Sequence, residues 1–390
     1  MNSYEFHPIA NLFPLMEDKE LEELAFDIQI HGLLQPIVKY QGKILDGRNR
    51  YLACGSVSVE PKFIEYLESD PAGFVTSMNI ERRHLTPSQR ACVGVELLPF
   101  YKNAMKEKEH TRKTGGTVEL IPQSKSRDFV AEKVHVNPHY ITDAAMLKEK
   151  SPELFEEMKS GLIHMKEALH EVHKKERKEE RERIAEKGKS IKPDERWNVW
   201  KADITTWKAP RQYDFIITDP PYPKEYLPLY ETLARRANEW LKPGGLLIAM
   251  CGQSYINQIY SIMDKYLKYY WNAAYLTPGQ SASIWNKQVI PKWKPLLIYS
   301  IGEYSGKMFG DVFESGANEK DFHKWGQSVS GMLSIIKQIC LPGQSILDPF
   351  CGAGTTGIAA LDYGCLFDGI DIEMKNVNIS RARLNDRAKA

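Results

Sequence analysis

Tyr213-Asp214-Phe215-Ile216-Ile217-Thr218-Asp219-Pro220-Pro221-Tyr222 decides how this chain is read. The run Tyr213–Thr218 predicts a buried strand, because short β-branched and aromatic runs suit a sheet covered on both faces. Proline cannot donate to a ladder, so Pro220 and Pro221 end the strand and leave Asp219 and Tyr222 at its carboxyl edge. In an open α/β sheet, ligands bind at that edge. An amino group on a heteroaromatic ring is a poor nucleophile, because its lone pair is delocalised into the ring. A carboxylate and a proline-fixed backbone carbonyl, both accepting hydrogen bonds from the NH2, favour the pyramidal form that can attack. Tyr222 would stack on the ring and hold it. By itself Asp-Pro-Pro is equally a plain strand-to-loop stop, so a second motif has to decide.

That motif is Ser345-Ile346-Leu347-Asp348-Pro349-Phe350-Cys351-Gly352-Ala353-Gly354-Thr355-Thr356. It has the strand, glycine turn and helix start of a nucleotide-type site, where glycines admit a ligand to the backbone. Asp371 closes the next predicted strand, about 23 positions after Asp348, where an acid suits paired ribose hydroxyls. The glycine turn carries no basic side chain to meet a pyrophosphate. A nucleoside-type cofactor therefore fits better than NAD or ATP.

The rest of the chain sets limits. Its 390 residues suggest two or three domains, and 42% hydrophobic content with 8 Trp is ample for packed cores. No apolar run approaches the roughly 20 residues that span a bilayer, and the first ten residues lack a secretion signal. The 6 cysteines are scattered without a C-x-x-C pair, which favours reduced thiols, a cytoplasmic location and no structural zinc. His135 and His139 lie four apart, but no third ligand is evident, so no metal is expected. Net charge is +1, yet 102–127 and 173–192 are locally basic, which allows nucleic-acid contact.

Strands are predicted at 197–202, 213–218, 246–250, 271–277, 295–301, 345–348 and 366–371, with helices between them. This alternation predicts an α/β, doubly wound, Rossmann-like domain over 196–390. Ahead of it, 173–195 reads as a charged linker or solvated helix. From about 86 to 172 the pattern reads as helical, opened by Thr86-Pro87 as cap and first helical residue, with 96–172 as the helical domain. Within it, 126–138 and 139–148 predict a helix-turn-helix. Residues 1–95 mix strands and helices as an α+β domain, with a hairpin turn at Gln41-Gly42. Trp285 and Trp293 are expected in the core or in a lid.

Together, Asp-Pro-Pro-Tyr and Asp-Pro-Phe-x-Gly-x-Gly-Thr-Thr resemble the S-adenosylmethionine-dependent DNA amino-methyltransferases, in the β-type order with the catalytic motif first. The resemblance implies that Asp219, Pro220, Pro221 and Tyr222 grip a base flipped out of double-stranded DNA. It implies that Asp348, Phe350, Gly352, Gly354 and Thr355 line the cofactor site and Asp371 holds the ribose. Asp203 matches the family's acidic position near the adenine. Gln327 matches, with His323, a His-Pro-x-Gln-Lys-Pro-like element, although here the stretch reads His323-Lys324-Trp325-Gly326-Gln327-Ser328. The leading Asp of the catalytic motif resembles the adenine-N6 enzymes more than the cytosine-N4 ones, which stay as the alternative.

The first half is similar to the ParB/sulfiredoxin-like domain and the DNA-binding segment that follows it in ParB and KorB proteins. His7-Pro8-Ile9-Ala10, Leu33-Leu34-Gln35-Pro36-Ile37-Val38, Ile44-Leu45-Asp46-Gly47-Arg48-Asn49-Arg50 and Asn79-Ile80-Glu81-Arg82-Arg83-His84-Leu85-Thr86-Pro87 carry that resemblance. ParB proteins bind CTP through a Gly-Glu-Arg-Arg-x-Arg box. Gly47-Arg48-Asn49-Arg50-Tyr51-Leu52 keeps the Gly and one Arg but lacks the Glu and the final Arg. Arg48 and Arg50 thus stand either as phosphate ligands, CTP included, or as arginines of a surface helix. Arg127, Asn137, His139 and Tyr140 are the candidate DNA contacts. The insertions 279–294 and 303–325 are small for a target-recognition domain, so site readout is expected to be shared with the helix-turn-helix. A homodimer stays open. A rival of another class is a ParB-like DNA-binding or partition regulator whose second half only senses cofactor.

Overall fold

The computed structural model describes residues 4–13, 15–80, 85–113, 126–276, 283–316 and 327–389. The stretches Glu81 to His84 and His323 to Gly326 quoted above, and residues 114–125 of the locally basic segment, lie outside them. The chain divides into two compact units, Met1–Lys175 and Glu176–Ala390.

The first unit opens with α1 (Asp18–His31) and a three-stranded sheet of β1 (Ile37–Tyr40), β2 (Lys43–Asp46) and β3 (Phe63–Glu65). Its order is β2-β1-β3, antiparallel then parallel. The hairpin turn Gln41-Gly42 has positive φ at both residues, the mirror-image turn whose twist matches the strands it joins. α2 (Arg48–Ser56) follows Gly47, and α3 (Pro71–Ile80) packs against β2 on the way to a helical layer.

That layer comprises α4 (Pro87–Lys113), α5 (Ser126–Lys133), α6 (Pro138–Lys150) and α7 (Pro152–Ser160). Thr86 and Gln89 form a reciprocal cap at the start of α4, each side chain accepting from the other's backbone N–H at 3.3 and 3.1 Å. Leu97, Val130, Val134, Ile141, Leu147 and Phe155 fill the space between these helices. Burying a side chain of this size contributes about 1.5–3 kcal/mol.

Of the two alternatives for 173–195, charged linker or solvated helix, α8 (Met165–Gly188) places most of the stretch in a helix. Its later turns bury Ala185 and pack Ile184 against Ala353 and Ile379. Lys187 pairs with Asp386 at 2.7 Å. The few apolar residues of this charged stretch share one face, which is enough to seat it.

The second unit holds β4 (Trp197–Lys201), β5 (Tyr213–Thr218), α9 (Leu227–Trp240), β6 (Leu241–Met250), α10 (Ile256–Met263), β7 (Lys268–Leu276), β8 (Trp293–Ser300), β9 (Val312–Glu314), α11 (Val329–Ile339), β10 (Ser345–Asp348), α12 (Thr355–Tyr363), β11 (Leu366–Asp371) and α13 (Met374–Lys389). The strands make one eight-stranded sheet in the order β4-β11-β10-β5-β6-β8-β7-β9. The first five are parallel and β8 runs antiparallel to both neighbours. β9, which the sequence reading missed, lies inside the 303–325 insertion and pairs with β7.

Alternate residues of the strands go to opposite faces. Phe215, Ile217, Leu246 and Ile248 meet α11, α12 and α13, whereas Ile216, Leu247 and Ala249 meet α9 and α10. Both faces are covered, so β5 is buried at all but Asp214 and β10 along its whole length. From β5 the chain winds outward through β6, and from β10 it winds the other way through β11. The adjacent pair β5 and β10 is therefore the point where strand order reverses and a crevice opens.

Candidate functional site

Four carboxylates stand at the carboxyl ends of four neighbouring parallel strands. Asp203 lies two residues past β4, Asp371 ends β11, Asp348 ends β10 and Asp219 follows β5. At about 4.8 Å per strand they span roughly 14 Å of sheet edge.

Asp348 is the buried one, 3% exposed. Its Oδ1 accepts from Thr218 Oγ1 at 2.7 Å and from the Phe350 backbone N–H at 3.0 Å, and its Oδ2 accepts from Thr356 Oγ1 at 2.6 Å. Burial pushes its carboxyl up to about 6, against the pull of these donors, and the charge of Asp219 adds a smaller push.

Asp371 binds the glycine turn. It accepts from Gly352 N at 3.0 Å, Glu373 N at 2.8 Å and Asn376 Nδ2 at 3.2 Å. Gly352 and Gly354 have φ of 50° and 78°, which L side chains adopt at a cost. A Cβ on Gly354 would meet Ser380 Oγ at 2.9 Å, whereas nothing lies within 4 Å of one on Gly352. The turn is thus packed from behind by α13 and open in front at Gly352. Ser380 and Arg383 fasten its carbonyls at Gly352 and Ala353. Thr355 starts α12, and Phe350 packs with the apolar layer of α9 and α10. Asp203 accepts from Thr205 N at 2.8 Å and Thr205 Oγ1 at 2.7 Å, which hold its carboxyl below its usual range.

Beyond β5, Asp219 Oδ1 accepts from the Tyr222 hydroxyl and Oδ2 from Gln327 Nε2 at 2.5 Å. Gln327 donates to the carboxylate of the Asp-Pro-Pro-Tyr loop, a contact that its family match did not indicate. Burial and then the Asp219 charge raise the Tyr222 phenol well above its usual range, so it stays protonated and donates. Pro220 is buried and Pro221 half-buried. Lys294 Nζ lies 5.4 Å from the Tyr222 ring centre. Gly252 backs that ring closely, since a Cβ there would meet Tyr222 Cβ at 3.2 Å.

The residue set fits a cationic, nucleoside-bearing ligand. Four acids stand at neighbouring strand ends, the glycine turn from Asp348 to Thr356 carries no cation, and no protein atom lies within 4 Å of a Cβ placed on Gly352. Sequence reasoning missed Thr218, Thr356, Ser380 and Arg383. A hydroxyl ending an otherwise apolar strand was the available signal for Thr218.

In the first unit, α5 and α6 form the helix-turn-helix. Asn137 caps α6 by accepting from His139 N at 2.9 Å, and Pro138 takes the first helical position. Asn137, His139 and Tyr140 are exposed at the start of α6. Arg127 pairs with Asp128 at 2.8 Å and reaches Thr142 Oγ1 at 3.4 Å, which ties α5 to α6. His135 sits in the turn with φ 53°.

The guanidinium of Arg48 is buried, 9% exposed. It donates to Asn11 Oδ1 at 2.8 Å and to the Phe13 carbonyl. Arg50 donates to Asp46 Oδ2 at 2.8 Å and Gln35 Oε1 at 3.0 Å, next to the left-handed Gly47 that opens α2. Both arginines make their contacts within the fold, where the sequence leaves phosphate ligands and surface-helix arginines as alternatives. Trp285 is 86% exposed, which corrects the core reading of that residue, and Trp293 starts β8 at 36%. No helix among the described residues is long and apolar enough to cross a membrane.

Residues 302–382 match a family model described as DNA methylase. The chain is 30% identical over 172 residues to the type II methyltransferase M2.DpnII of Streptococcus pneumoniae, covering 38% of this chain and 64% of that protein. It is also 30% identical over 109 residues to a nucleoid occlusion protein of Bacillus cytotoxicus, covering 24% of this chain and 38% of that one. The chain thus spans less than two thirds of the length of these curated relatives. Among solved structures, the M1.HpyAVI–SAM complex is similar at 22% identity and a TM-score of 0.43, over 48% of this chain and 99% of that one. The cytosine-N4-specific PvuII DNA methyltransferase is similar at 14% identity and a TM-score of 0.41, over 51% and 95%.

Proposed function

We propose that this chain transfers a methyl group from S-adenosylmethionine to the exocyclic amino group of a base in double-stranded DNA. The base is adenine at N6, and the ParB-like first unit takes part in DNA recognition. The observation that carries this reading is the Thr218–Asp348 hydrogen bond at 2.7 Å. It places the strand end that delivers Asp219 directly beside the strand that delivers the glycine turn. A DNA methylase match over 302–382 and relatives named as type II methyltransferases support it.

Asp348, Phe350 and the Gly352 face would hold the methionine half of the cofactor, and Asp371 and Asp203 the adenosine half. S-adenosylmethionine, once bound, supplies a methyl activated by a sulfonium charge. Asp219 and the Pro220 carbonyl accept hydrogen bonds from the target NH2 and draw its nitrogen toward the pyramidal form. Asp219 then receives the proton that the amine gives up. Tyr222 stacks on the extruded base, which offsets the few kcal/mol, about, of unstacking it. No covalent link to the protein is needed, so positioning contributes most of the acceleration.

The test is incubation of the purified chain with radiolabelled methyl donor and duplex DNA, followed by digestion to nucleosides and mass analysis. N6-methyladenine supports the reading and N4-methylcytosine corrects the base. Unlabelled DNA across varied duplexes overturns the activity and leaves a DNA-binding regulator.

A further inference from the structure

We infer that Thr218 is a positioning residue: its hydroxyl orients the Asp348 carboxylate for the cofactor and locks the catalytic strand to the glycine turn. The inference rests on the methyl-transfer reading above and extends it to a residue outside both motifs.

Thr218 is the last residue of β5 and is 1% exposed. A hydroxyl at such depth requires a partner, because leaving it unsatisfied costs about 1–3 kcal/mol. The partner is Asp348 Oδ1, at 2.7 Å across the β5–β10 pair. The other two donors to Asp348 belong to its own side of the site, the Phe350 N–H in the turn and Thr356 in α12. Thr218 alone of the three comes from the catalytic side, one residue before Asp219. A two-atom link therefore joins the strand that presents the base's acceptor to the acid that faces the cofactor.

The same bond bears on charge. Asp348 is buried and sits near 6, and the Thr218 hydroxyl is among the groups that keep it from rising further. Asp219, on the segment after β5, opposes its ionisation, and the Cys351 thiol in the turn feels its charge in return. Without Thr218 the carboxylate would keep one fewer donor at the same depth. It would then be protonated over a wider range and would accept less well from a cationic ligand.

The experiment is titration calorimetry of S-adenosylmethionine against the full chain from pH 5 to 9, with no DNA present. Wild type is expected to lose affinity as pH falls through about 6, the region where Asp348 takes up its proton. Thr218→Val, which keeps shape and removes the hydroxyl, should move that midpoint up by about one pH unit, as expected for one hydrogen bond to a charged group. Its affinity at pH 7 should fall about twofold and recover by about pH 9, and Thr218→Ser should restore the wild-type profile. A Val profile that overlays wild type overturns the inference while leaving methyl transfer intact. If Val unfolds, Thr218→Ala is read in the same titration. Unfolding of Val, Ala and Ser alike overturns it in favour of a purely structural role. Failure of wild type to bind at any pH overturns the methyl-transfer reading together with this one.

Discussion

Gln327 donates its side-chain amide to Asp219 Oδ2 at 2.5 Å, across 108 positions of sequence. With the Tyr222 hydroxyl on Oδ1, it fixes the rotation of a carboxylate that stands at a strand end. Hydrogen bonds to charged groups contribute about 1.5–3 kcal/mol, which corresponds to roughly 10- to 150-fold in a rate that depends on their geometry. Gln327→Ala should therefore lower single-turnover methyl transfer by that range, with cofactor affinity unchanged in direct binding. A large loss of cofactor affinity would instead place Gln327 beside the cofactor, as its sequence context suggested.

Tyr222 combines a stacking ring with a donor to Asp219, and the two roles separate by substitution. Tyr222→Phe keeps the ring but removes a hydrogen bond to the same charged carboxylate, and should lose roughly 10- to 150-fold. Tyr222→Ala loses base stacking worth about 1–3 kcal/mol as well and should fall further. 2-Aminopurine placed at the target base reports the difference. Its fluorescence should rise on binding to the Phe variant and stay quenched with Ala.

The buried carboxyl of Asp348 makes a prediction about stability. Its folded value, about 6, lies above the 3.8 of an unburied carboxyl. Between those values the unfolded chain has released the proton that the folded chain retains. Stability from this group therefore falls as pH rises from 4 to 6 and stays lower above 6. Asp348→Asn removes that dependence. Denaturant melts of wild type and variant should converge near pH 4, and the variant should gain relative stability, on the order of 2 kcal/mol, by pH 7.

Most of the second unit was legible because its signals are local. β5 and β10 announce themselves as apolar runs, and the glycine turn follows β10 at once. What escaped depends on long-range pairing. β9 is three residues long with only Phe313 buried, so no period-two pattern could mark it. Gln327 entered through its match to a family element, and its contact with Asp219, 108 positions away, is made only by the fold. Likewise Arg48 looks like a phosphate ligand beside Gly47, yet the fold folds Asn11 and Phe13 over it.

Arg48 accordingly belongs to stability. Arg48→Met keeps the apolar stem but leaves the buried Phe13 carbonyl without its donor, at about 1–3 kcal/mol, while the exposed Asn11 amide turns to water. The variant should melt several degrees lower in thermal denaturation. CTP binding by the first unit, measured by calorimetry on the full chain, should be undetectable in wild type and variant alike. Wild-type CTP binding that disappears in a variant with an unchanged melting temperature would restore the phosphate role.

His135 occupies the turn of the helix-turn-helix at φ 53°, in the left-handed region that costs an L residue about 1–2 kcal/mol. Its backbone N–H is held by the Glu132 carbonyl at 3.1 Å, and Val136 N–H returns to Ala131 at 3.0 Å, so the turn cannot relax into another conformation. Glycine would relieve the strain but would add entropy to the unfolded chain, about 0.5–1 kcal/mol in the opposite sense. The net gain for His135→Gly should be about 0.5 kcal/mol, with Asn near neutral and Val destabilising by more than 1 kcal/mol, about, because β-branched residues resist positive φ. The order Gly, Asn, His, Val in denaturant midpoints tests the turn geometry directly. DNA affinity measured alongside should follow the folded fraction alone in Gly and Asn, since the groups exposed on α6 are untouched. A drop in affinity for Gly without loss of stability would mean that the His135 side chain itself contacts DNA.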